Sequence, residues 1–249
     1  MLTISRLNGG NTVSRNAVRL VAMSSAPKLG HARPAPSSMR DIWHDRALLR
    51  IVAILCLQWL AFSALFFGLS LEGAHEPRAV VLMCLLQIPA VGLSGVALEA
   101  LGRVLTLVAV LWVSAAACIA MPFVNATGQG GLHGALLTIG AVATSSAFSV
   151  GYVFTTELLP TFIRPLGLTL CSQCSRLGGL LSPLLLLLPC NKCVGSRFLN
   201  AIPFLFWGVL GFVAGATALL LPETRSEPTL DSLGDLHALM HRHFSRSNI

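Results

Sequence analysis

The sequence predicts an all-α integral membrane protein with six transmembrane helices, and three observations carry that reading. Charged residues make up 11% of the 249 and hydrophobic ones 54%, with a mean hydropathy of +0.75, whereas soluble domains carry roughly 25% charged residues. Six apolar runs follow one another, and most reach the ~20 residues needed to cross ~30 Å of hydrocarbon. The connections between them are short, at 72–78, 99–103, 125–133, 157–165 and 190–198, so sequence neighbours are expected to pack antiparallel. Only a backbone that satisfies its own hydrogen bonds stands in lipid, which makes each run a helix.

In chain order, residues 1–45 hold no run long enough to span, and six basic residues precede the first acid, Asp41. They read as a largely disordered cytosolic segment; the competing reading is a basic, acid-poor mitochondrial transit peptide. A six-helix transmembrane domain follows over 46–224, with spans near 51–71, 79–98, 104–124, 134–156, 166–189 and 199–221. The fourth span ("GAVATSSAFSVG") is rich in small residues that let helix backbones approach closely, which marks it as central. In the fifth, Gly178, Gly179 and Pro183 predict a kink. Residues 225–249 turn polar and read as a cytosolic tail.

Basic residues near the span ends set orientation. Arg40, Arg46, Arg50, Arg103, Arg164 and Arg225 fall on one side, against Arg78, Lys192 and Arg197 on the other. That bias places both termini in the cytoplasm. The net charge of +7 therefore reflects topology and tails, and no folded basic face offers a nucleic-acid partner.

"CSQCSRLGGLLSPLLLLLPCNKC" (171–193) has the cysteine spacing of a structural zinc site. Read as a helix, it sets Cys171 and Cys190 about 28 Å apart, too far to share one ion. The spacing is accidental, and no metal or other cofactor is expected. Cys190 and Cys193 read as two loop thiols that are also close enough for a disulfide. Cys56, Cys84 and Cys118 read as small apolar fillers. His133 stands alone on an outside loop. No metalloprotease, nucleophile-elbow or phosphate-loop pattern occurs, so no catalytic residue is assigned and an enzyme is not expected.

Arg176 lies near the middle of the fifth span, where an arginine costs about 2.5–3.5 kcal/mol on insertion scales. Ser172, Arg176, Gly179 and Pro183 recur on one helical face, with leucines behind. Such a stripe points to a water-accessible cavity. Trp59 and Phe66 share a face of the first span with Phe67 alongside, and Phe148 and Tyr152 share one on the fourth; by periodicity alone, these aromatics read as packing.

"ELLPTFIRPLG" (157–167) and "SRLGGLLSPLL" (175–185) resemble the tenth-to-eleventh helix junction of the solute carrier 22 organic ion transporters, in the major facilitator superfamily. "GVALEALGR" (95–103) resembles the superfamily's cytoplasmic loop motif, and "LLPET" (220–224) the family's exit from its last helix. The likeness covers about 46–235, and "LNGG" (7–10) resembles a remnant of the central loop. Family members have twelve helices. The resemblance therefore implies one half of a major-facilitator-type bundle.

The same resemblance implies roles. Arg176 matches the position that is Arg in the anion and carnitine branches, so the implied substrate is a small organic anion or zwitterion. Trp59, Phe148, Tyr152 and Ser172 fall on cavity-lining positions. Phe66 and Phe67 stand where the anion branch has a Tyr pair, and Val91 where it often has a second cation. Glu99, Gly102, Arg103, Glu157 and Arg164 fall on the cytoplasmic gate. The expected function is half of an alternating-access secondary transporter in the plasma membrane. The expected partners are its substrate, membrane lipid, and a second six-helix half or a full-length relative. The alternative is a non-transporting isoform or degenerate member that modulates such a relative.

Overall fold

A computed structural model of the chain describes residues 45–74, 77–127, 130–187 and 197–225, with 234, 236, 239 and 240. The expectations for 1–44, for Cys190 and Cys193, and for most of the polar tail lie outside these residues. The described residues form six long helices: α1 Arg46–Gly73, α2 Pro77–Leu101, α3 Arg103–Thr127, α4 Gly130–Leu158, α5 Arg164–Leu187 and α6 Arg197–Ala218. All six contain a stretch long and apolar enough to cross a membrane. Asp45 starts α1, its Oδ1 accepting from the Ala47 amide at 2.9 Å, one of the four helix-start amides that have no partner within the helix.

Among the described residues, α3 and α4 are the one pair of sequence neighbours that packs as closely as the short loops suggested. α1 lies chiefly against α5, α4 and α6, α3 against α4 and α6, and α2 against α4; α1–α2, α4–α5 and α5–α6 barely touch. Small residues, not loop length, choose the partners. A Cβ on Gly178 would strike the Leu60 carbonyl, so α5 rests backbone to backbone on α1, and Ser182 Oγ donates to Ala64 O at 2.7 Å. Gly211 lets α6 approach Ala115 and Leu65, and Gly151 seats the Phe62 ring against α4. Where lipid is as apolar as leucine, such close approach supplies the attraction.

α4 is central as its composition suggests, burying Gly140, Ala141, Thr144, Ala147 and Gly151. α1 is just as buried, with Leu55, Phe62, Leu65 and Leu69 fully enclosed. α2 and α5 turn their leucines outward: Ile88 is 78% exposed and Leu180 69%, as lipid-facing side chains are. α5 runs unbroken through Gly178, Gly179 and Pro183, and its glycines serve close packing. His133 is not alone: it stands in the first turn of α4 with Nε2 3.9 Å from Glu72 Oε1.

Candidate functional site

From the middle of α1 towards the start of α5, α1, α4 and α5 line an open cleft of about 640 Å³. Its aromatic wall is Trp59 from α1 with Phe148 and Tyr152 from α4, and its polar wall is Ser172 and Arg176 from α5. Trp59 is fixed by two kinds of contact. Its indole N–H donates to Thr155 Oγ1 at 3.1 Å, and its ring meets Phe148 edge-on at 6.4 Å and Tyr152 at 6.1 Å. Edge-to-face geometry is the favoured arrangement for aromatic quadrupoles.

Arg176 follows Arg164, the first residue of α5, by twelve positions, about 18 Å along the axis, too deep for a terminal anchor. Its side chain is exposed to the cleft. Among the described residues no acidic group lies within ion-pairing distance of it. An unpaired guanidinium with five donors in a planar fork is suited to a carboxylate or sulfate.

Five of the seven cavity residues expected from sequence thus line one cleft. Phe66 and Phe67 do not. Phe66 stacks edge-on behind Phe148 at 6.0 Å and Phe67 follows it at 5.5 Å, with the Phe67 ring packed on Gly179. The stripe of Ser172, Arg176, Gly179 and Pro183 is therefore divided: its first two members face the cleft, and Gly179 faces α1. Sequence reasoning missed Ser149, Thr169 and Gln173, which also line the cleft. Thr169 and Gln173 extend the polar stripe by a turn.

A second constellation ties the end of the bundle where α2 and α4 stop and α3 starts. Arg103 grips Glu157 with two parallel bonds, Nε to Oε2 and Nη2 to Oε1, both 3.0 Å, and Thr224 Oγ1 donates to Glu157 Oε2 at 2.7 Å. Glu223 accepts from the Arg103 and Val104 amides at 2.8 and 3.0 Å, capping α3 from the far end of the chain. Gly102, at φ 96°, makes the turn between α2 and α3, and a Cβ there would lie 2.9 Å from Glu223 Oε2. Glu99 is exposed. Arg164 bonds its own turn, at Leu159 O, 3.3 Å away, and joins no carboxylate among the described residues. Glu223 and Thr224 carried no expected role.

No family model matches the chain. Curated relatives do. A Xenopus laevis "Solute carrier family 22 member 15-like" protein is 32% identical over 98% of this chain and 49% of its own length. Human "Solute carrier family 22 member 13" is 31% identical over 81% of this chain. The chain belongs to the solute carrier 22 family. Rabbit "Organic anion transporter 3" is 30% identical over 81% of the chain and 36% of its own length. The chain thus spans about half or less of the lengths of these solute carrier 22 relatives. Family membership and six apolar helices together make it a multi-pass membrane protein.

Proposed function

We propose that the chain forms the substrate-bearing half of a secondary transporter for small organic anions or zwitterions, acting in the plasma membrane with both termini in the cytoplasm. The observation that carries this reading is Arg176 at mid-helix depth, without an acidic partner among the described residues and facing an aromatic wall across the cleft. The guanidinium would take the anionic group and Trp59, Phe148 and Tyr152 the apolar body. The relatives' names include both "Organic anion transporter 3" and "Organic cation/carnitine transporter 2", so the charge preference rests on Arg176. The cleft is built from α1, α4 and α5 alone, so transport would need a second six-helix body, from the same polypeptide, a second copy or a full-length relative. The Arg103–Glu157 pair would hold the cytoplasmic end closed.

The test is uptake of a labelled organic anion by membranes containing the protein and its second half. Arg176→Ala should abolish uptake at unchanged surface level, and Arg176→Lys should restore part of it. Undiminished uptake by Arg176→Ala would falsify the assignment. A second reading, a non-transporting modulator of a full-length relative, is supported by Phe66 and Phe67, which stand behind the cleft and not in its wall. It expects a cross-linked complex with such a relative and no uptake of its own.

A further inference from the structure

Three thiols meet where α5 crosses α1. The register of the two helices puts them together: Leu60 stands against Gly178 and Ala64 against Ser182. One turn back, that register sets Cys56 opposite Cys174, with Cys171 a turn further along the same face of α5. The three thiols are close enough to interact, Cys56 with both Cys171 and Cys174. None is in a disulfide. Cys171 is fully buried, whereas Cys56 and Cys174 are half-buried and within reach of a membrane-permeant reagent. Among the described residues no group of three ligands is arranged to hold a metal ion, so the cluster offers pairs centred on Cys56, not a cage.

We propose that Cys56 and Cys174 form a dithiol site that takes a trivalent arsenical across the α1–α5 contact. Two arsenic–sulfur bonds form and the arsenic–oxygen double bond of the reagent is lost. Its oxygen leaves as water with the two thiol protons, and arsenic stays trivalent, so no oxidant is needed. Neutral thiols suffice, which suits a low-dielectric site where thiolates are disfavoured. The site is distinct from the cleft but adjoins it: Trp59 is three residues past Cys56, and Ser172 lies between the two α5 thiols. A bridge would clamp the cleft wall.

The probe is phenylarsine oxide on the purified full chain in detergent, in a Cys190→Ser/Cys193→Ser background that removes that second closely spaced cysteine pair. One phenylarsenic group per chain should survive a monothiol wash and be released by a dithiol. Fragment mapping should join the α1 peptide to the α5 peptide. Cys56→Ser and Cys174→Ser should each lose the retained group, and Cys84→Ser should keep it. Retention in either of the first two variants, or no retention in monodisperse background protein, overturns the site. If Cys56→Ser does not fold, the half-buried Cys174→Ser decides alone.

Discussion

At Trp59 the indole N–H is held by Thr155 while Thr155 itself donates to Gly151 O at 2.6 Å. Thr155→Val keeps the shape and removes the acceptor, leaving a buried N–H unpaired at a cost of about 1–3 kcal/mol. We expect a lower melting temperature in detergent and a looser Trp59 ring, read as a red-shifted and broadened tryptophan emission. An unchanged melting temperature would show that the bond contributes nothing. Arg176 was legible in the sequence because a charge is unusual inside an apolar run, whereas Trp59 was singled out only by the family resemblance. Thr169 and Ser149 were not. Hydroxyls in membrane helices commonly bond their own backbone, as Thr169 does to Pro165 O at 2.8 Å, so their presence carries no signal until a cleft is seen beside them.

Among elements, the contact of α1 with α5 depends on Gly178, where a Cβ would meet backbone that cannot step aside. Gly178→Val should abolish monodisperse protein and surface expression. Gly92→Ala, with open space around it, should change neither. Equal tolerance of the two substitutions would mean that the α1–α5 packing is not set by that glycine. The existence of each helix could be read from hydropathy, since length and polarity are local properties. Partner choice could not, because the residue that meets Gly178 lies more than a hundred positions away. Loop length suggested sequence neighbours, and small-residue complementarity overruled it at α1–α2, α4–α5 and α5–α6.

Across the whole molecule, Arg103, Glu157 and Thr224 join α3, α4 and the exit of α6 in one hydrogen-bonded unit. Its members should act together. Arg103→Gln and Glu157→Gln, measured singly and combined by thermal unfolding in detergent, are expected to be non-additive. The pair is partly solvent-accessible, at 20% and 31% side-chain exposure, so the coupling should be modest, roughly 0.5–1 kcal/mol, and weaker at high salt. Strict additivity would dissolve the unit into separate contacts. The matching motifs "GVALEALGR" and "LLPET" were visible as separate stretches; that the second caps the helix launched by the first was not, since only the fold brings them together.

That cap has a consequence for how the chain is made. Glu223 leaves the ribosome some 120 residues after the amides it serves at Arg103 and Val104. Until then the first turn of α3 has no carboxylate at its positive end, where such a charge is favourable. Biogenesis therefore closes this end of the bundle last, and a chain halted after Leu221 should enter the bilayer yet show fast amide exchange at 103–104. The last few residues of the helical domain act as a completion signal for its third helix.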